Sequence, residues 1–65
     1  MTVQINGQPT QVPEGSTLAS ILAERKLAPD KVAIELNRRL VRAERYELPL
    51  KEGDEVEIVT FVGGG

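Results

Sequence analysis

Apolar and polar positions alternate with a period of two in three stretches of this chain, and each stretch predicts a strand with one face buried. Over residues 2–6, Val3 and Ile5 face one way and Thr2 and Gln4 the other. Over Val32 to Leu36, Val32, Ile34 and Leu36 oppose Ala33 and Glu35. The last stretch runs from Glu55 to Val62, with Val56, Ile58, Thr60 and Val62 on one face and Glu55, Glu57, Val59 and Phe61 on the other. Its two glutamates can only face water, which fixes its register. Between the first two stretches the period changes. Leu18, Ile21 and Leu22, with Arg25 prolonging the line, fall on one stripe at helical spacing.

Turn and cap residues divide these elements. Asn6-Gly7 is a strong hairpin signal because both residues tolerate positive φ, so Gln8 to Val12 reads as a return strand. Pro9 confines that strand to an edge or places the proline at its end. Ser16 or Thr17 offers an oxygen to cap the helix, and Pro29 blocks its continuation after Leu27-Ala28. Pro29-Asp30-Lys31 is a turn, and Asn37-Arg38-Arg39 turns the chain into a short strand at Leu40-Val41. Arg42 to Tyr46 carries a weak helical-turn signal, Leu48-Pro49-Leu50 is an irregular apolar link toward the core, and Lys51-Glu52-Gly53-Asp54 is a turn. The expected class is α+β, with one helix covering a mixed sheet of four to five strands. Pairing the last strand parallel to the first requires a long crossover, which the helix and the segments after it supply. That is the β-grasp, or ubiquitin-like, arrangement; another small α+β sandwich is the alternative.

The last strand feeds Gly63, Gly64 and Gly65. The division expected is a domain over 1–62 and a flexible glycine tail over 63–65. A plain frayed terminus is one reading of the glycines. The other is a thread without side chains that carries a terminal carboxylate into a partner's pocket. Val62 to Gly65, fully extended, would reach roughly 13–14 Å. Beside it, Val59 and Phe61 form a candidate partner-docking patch, unless a loop such as that around Tyr46 folds over them. A carboxylate is inert at neutral pH and needs activation before it can react.

Composition narrows the chemistry. The chain has 65 residues and a net charge of −2, with no Cys and no His. One domain near the lower size limit for autonomous folding is expected, with a core supplying only about 3–5 kcal/mol. Thiol nucleophiles, zinc sites and the usual neutral-pH base are absent from the composition. No bound cofactor or metal is expected. Two aromatic residues, Tyr46 and Phe61, in an acidic chain argue against nucleic-acid partners. No apolar run approaches the ~20 residues of a membrane span, and the start lacks the pattern of a signal peptide, so no membrane partner and a cytoplasmic address are expected. The basic cluster Arg38, Arg39, Arg42 and Arg45 reads as a solvated face or a protein-contact rim. Glu52, Asp54, Glu55 and Glu57 form an acidic edge that serves solubility or steers a basic partner.

The stretch from Gly53 to Gly65 resembles the C-terminus of the ThiS family, the sulfur carriers of thiamine biosynthesis. Asn6-Gly7, Gly15-Ser16-Thr17-Leu18 and Val32-Ala33-Ile34-Glu35 are similar to that family's layout, so the resemblance covers essentially the whole chain. It implies a β-grasp protein, monomeric when free and not itself an enzyme, whose Gly65 carboxylate is adenylated by an E1-like enzyme using ATP. The adenylate becomes a thiocarboxylate, with sulfur drawn directly or indirectly from a cysteine desulfurase, and thiazole synthase receives that sulfur. Because the chain ends Gly64-Gly65, no trimming is expected. Two departures fall in one loop: Arg38 stands where the family often has Gly, and Val41-Arg42-Ala43 where it often has Val-Pro-Arg. The alternatives are a carrier like the small subunit of molybdopterin synthase, a ubiquitin-like modifier joined to lysines, and an inert β-grasp interaction module.

Overall fold

The computed structural model describes residues 1–61, and the expectations placed on Val62, Gly63, Gly64 and Gly65 lie outside the described residues. Strand β1 (Thr2–Ile5) turns at Asn6 and Gly7, with φ of 51° and 81°, into β2 (Gln8–Gln11). Two consecutive positive φ angles twist the chain in the sense that matches paired strands, and asparagine and glycine accept them at least cost. Helix α1 (Leu18–Glu24) follows, then a 3₁₀ turn at Pro29–Lys31 and strand β3 (Val32–Leu36). A second two-residue turn, Asn37 and Arg38 with φ of 52° and 70°, leads into β4 (Arg39–Val41). A 3₁₀ turn at Ala43–Arg45 and an irregular segment return the chain to β5 (Glu55–Thr60).

The five strands lie in the order β2-β1-β5-β3-β4. β5 pairs parallel with β1 and antiparallel with β3, and the two hairpins form the flanks. This is the expected β-grasp topology. Pro9 sits on the edge strand β2, where its missing N–H costs no internal ladder bond.

Thr17 is the helix N-cap. Its hydroxyl accepts from the Ser20 N–H at 3.0 Å, and the Ser20 hydroxyl accepts from the Thr17 N–H at 2.9 Å. This reciprocal pair satisfies two backbone donors that the helix cannot. Ser16 instead donates its hydroxyl to the Pro13 carbonyl. Leu18, Ile21 and Leu22 are buried, whereas Arg25 is exposed as the C-cap, because the helix ends at Glu24. Lys26, with φ of 59°, carries the chain out of the helix.

One core joins the layers: Val3, Ile5, Leu18, Ile21, Leu22, Ile34, Val56 and Ile58 pack together, as the alternation and the helical stripe predict. Val12, Val32, Tyr46 and Leu50 complete it. Tyr46 does not fold over Val59 and Phe61. Its side chain is in the core and its carbonyl accepts from the Ala19 N–H at 2.8 Å, so the loop closes against the start of the helix. Leu50 docks beside it, its N–H donating to the Ser16 carbonyl at 2.8 Å. Leu48, by contrast, points to solvent.

Leu22 is almost fully enclosed. Leu22→Ala is therefore expected to cost about 2–5 kcal/mol, comparable to the whole stability of so small a domain. Urea or thermal unfolding followed by circular dichroism checks this; an unchanged midpoint would contradict the core described.

Candidate functional site: the end of the central strand

β5 is the central strand, and the sequence continues from it through Phe61 and Val62 to the three glycines. Alternation buries Val56 and Ile58 under the helix and turns Glu55, Glu57 and Val59 to the uncovered face of the sheet. Val59 lies across from Ala33 and is 58% exposed. Phe61 is 57% exposed, while its N–H donates to the Lys31 carbonyl at 2.9 Å and so prolongs the pairing with β3 one residue beyond the strand. Two large apolar side chains, two positions apart, thus stand free at the last described turn of backbone before the glycines. The structure brings Val59 and Phe61 to one end of the sheet; Gly63, Gly64 and Gly65 lie outside the described residues.

Two asparagine side chains, which sequence reasoning assigned only to turns, hold this strand. β1 runs out at the Asn6 turn, so the backbone of Ile58 would face a missing neighbour on that side. The Asn6 carboxamide takes the place of that neighbour: its Oδ1 accepts from the Ile58 N–H at 2.7 Å, and its Nδ2 donates to the Ile58 carbonyl at 3.3 Å. A carboxamide carries one acceptor and donors in nearly the arrangement of a peptide group, so it can extend a ladder by one rung. At the other end Asn37 Oδ1 accepts from the Glu55 N–H at 2.9 Å, and Asn37 Nδ2 donates to Asp54 at 3.1 Å. Asn6-Gly7 signalled the first turn from sequence alone. Nothing local signals a bond to a residue 52 positions away.

The charge on the uncovered face is acidic. Glu35 and Glu57 are direct cross-strand partners, and Glu55 precedes them along β5. Like charges placed opposite each other are mildly destabilising. The ion pair nearest to them joins Arg38 to Glu55 at 3.9 Å, with both side chains mostly in solvent, so it offsets little. Among the described residues no polar or charged side chain is buried, and no group of His, Cys, Asp and Glu could hold a metal ion. No described helix is long and apolar enough to cross a membrane. Leu40 and Leu48, at the far edge of the sheet, are exposed apolar residues that the sequence reading did not single out as a surface.

The ThiS family model matches residues 3–65. The chain is 37% identical over 65 residues to the sulfur carrier protein ThiS of Bacillus subtilis, covering 97% of this chain and 98% of that protein. It is 39% identical over 66 residues to a thiazole synthase of Magnetococcus marinus, covering all of this chain but only 20% of the synthase. The chain therefore spans about a fifth of the length of that relative. The crystal structure of a thiamine biosynthesis protein (ThiS) from Geobacter metallireducens superposes with a TM-score of 0.80 at 33% identity, covering both chains completely.

Asn6→Gly keeps a residue suited to positive φ and deletes only the carboxamide. It is expected to lower stability by about 1–3 kcal/mol, the cost of leaving the Ile58 backbone without its partners. Chemical denaturation measures it. A variant as stable as the parent would show that the two bonds contribute nothing to holding β5.

Proposed function

This chain belongs to the ThiS family of sulfur carriers of thiamine biosynthesis, and we propose that it carries sulfur as a thiocarboxylate on Gly65 for the formation of a thiazole ring. The observation that carries this reading is a family match running through the last glycine, Gly65, on a β-grasp body whose central strand leads into that sequence. The protein acts here as a co-substrate. Its own residues bind, orient and present the reactive carboxylate, and the catalytic groups belong to its partners.

The chemistry follows from the inertness of a carboxylate. An E1-like adenylating enzyme brings ATP, and the Gly65 carboxylate attacks the α-phosphate and releases pyrophosphate. The resulting mixed anhydride has AMP as its leaving group. A persulfide on a partner's cysteine, supplied by a cysteine desulfurase, attacks the acyl carbon and displaces AMP to form an acyl disulfide. A partner thiol then attacks the sulfur distal to the acyl group, breaking the S–S bond, so that the thiocarboxylate leaves and the partner keeps a disulfide. Thiazole synthase then takes the sulfur. The similarity of the whole chain to a fifth of a protein named thiazole synthase supports that partner. The names of these relatives favour thiazole formation over the molybdopterin and modifier alternatives.

Gly63, Gly64 and Gly65 suit this task because a thread without Cβ atoms passes a narrow entry. Glycine loses much conformational entropy on being ordered, so the body must supply binding energy. We assign part of that to Val59 and Phe61, the exposed apolar pair at the root of the tail. Phe61→Ala is expected to weaken binding to the adenylating enzyme by more than about 1 kcal/mol, measured by titration calorimetry, while leaving the unfolding midpoint nearly unchanged. Unaltered affinity would remove Phe61 from the docking surface.

The carrier role is tested by intact-protein mass spectrometry after incubation with the cognate adenylating enzyme, desulfurase, ATP, magnesium and cysteine. The expected result is a mass increase equal to the difference between one sulfur and one oxygen atom. Deleting Gly65, or adding one residue after it, should abolish the shift without unfolding the domain. An unchanged wild-type mass, or an extended variant charged equally well, would refute the proposal, and an isopeptide adduct on a partner lysine would favour the modifier.

A further inference from the structure

The arginine cluster of the β3–β4 hairpin has no role in the reactions above, yet the structure gives it a built setting. Four of the chain's eight basic residues, Arg38, Arg39, Arg42 and Arg45, fall within this one hairpin and the 3₁₀ turn that follows it. Arg39, Arg42 and Arg45 are exposed, and none makes a salt bridge among the described residues. Arg39 and Arg45 rim a groove of about 400 Å³ whose remaining lining is Leu36, Leu40, Val41 and Leu48. Leu36 and Val41 pack against the core and form an apolar floor. Leu40 and Leu48 are 70% and 54% exposed at its sides.

The backbone at this groove is also open. β4 is an edge strand. The two-residue turn makes Leu36 and Arg39 a hydrogen-bonded pair, so alternation along the ladder directs the N–H and carbonyl of Leu40 away from β3. An extended segment laid along this edge would meet a free donor and acceptor at Leu40, apolar side chains next to it, and guanidinium groups at both ends. Arg38 sharpens the point. It holds a left-handed φ of 70°, unfavourable for a side chain with a Cβ, at a position where glycine would sit without strain.

We propose that the β4 edge is a second docking surface, specific for an extended acidic segment of a protein partner that pairs with Leu40 and sets carboxylates against Arg39 and Arg45. The occupant follows from charge. A second copy pairing antiparallel through Leu40 would place Arg38 of each chain opposite Arg42 of the other, and like charges directly opposed across strands repel. A strand alternating carboxylate and apolar residues sets its carboxylates on the face of Arg39 and Arg45 and its apolar side chains on the opposite face, beside Leu40. The surface lies two strand spacings, roughly 10 Å, from β5, so it can be occupied together with Val59 and Phe61. It stands independently of whether Gly65 carries sulfur.

The test uses the full-length ¹⁵N-labelled protein and, as probe, a capped seven-residue peptide alternating glutamate and leucine. Amide shifts are expected at Leu36, Leu40, Arg42 and Leu48, with slowed hydrogen exchange of the Leu40 amide. Affinity should fall at least tenfold in the Arg39→Glu/Arg45→Glu variant and decline with added salt, and a lysine–leucine peptide should leave the spectrum unchanged. These substitutions are on exposed side chains, and the variant's own spectrum verifies that the fold is kept. The proposal is overturned by the absence of localised shifts at millimolar peptide, by shifts centred on Val59 and Phe61, or by equal binding of the lysine peptide. It is equally overturned if a single-stranded RNA oligonucleotide binds the same residues more tightly than the peptide, or if the shifts depend on protein concentration without any probe.

Discussion

Everything in this domain depends on how β5 is held. It is the middle strand of the five, with parallel β1 on one side and antiparallel β3 on the other, and its Val56 and Ile58 lie beneath the helix. A parallel neighbour must come from far away in sequence, and so the helix, the β3–β4 hairpin and the loop through Tyr46 and Leu50 are all crossover. The same segments provide the layer that buries the strand. β1 ends too soon to accompany β5 to its own end, and the Asn6 carboxamide makes good the missing rung at Ile58. Asn37 does the equivalent at Glu55. The two hairpin turns therefore fix their own strands and also pin the strand between them.

That arrangement separates stability from recognition. One face of β5 and the helix above it form the core, while the other face carries Glu55, Glu57 and Val59 into solvent, with Phe61 beyond. Side chains on the uncovered face can be chosen for a partner at little cost to folding. The opposed Glu35 and Glu57 weigh slightly against folding, and neither is joined in a salt bridge among the described residues. The β4 edge is a second such region, built on arginines and leucines in place of glutamates and a phenylalanine.

Much of this was legible in the sequence because period and turn chemistry agree. The alternation of Val56 and Ile58 with Glu55 and Glu57, the stripe of Leu18, Ile21 and Leu22, and Asn6-Gly7 each name an element, and together they leave few topologies. Arg25 was misplaced onto the helical stripe because the stripe's geometry persists on paper after the helix has ended at Glu24. Tyr46 could not be placed, because a single aromatic residue in an irregular segment has no period; only the loop's docking on Ser16 and Ala19 sends it into the core. Leu40 and Leu48 look like core residues by composition, and their exposure follows from an edge strand and an irregular link that no local pattern describes. The asparagine bonds to β5 are tertiary by nature. A turn residue announces its φ, not what its side chain will reach.

Amide hydrogen exchange tests the central claim about β5 most directly. If β1, β3 and the Asn6 carboxamide together hold the strand, the Val56, Glu57 and Ile58 amides should exchange only through global unfolding, with free energies equal to that from denaturation. In Asn6→Gly, the Ile58 amide alone should fall well below the global value while Glu57 still matches it. Rapid exchange at Ile58 in the wild-type protein, or equal protection of Ile58 and Glu57 in the variant, would contradict the account.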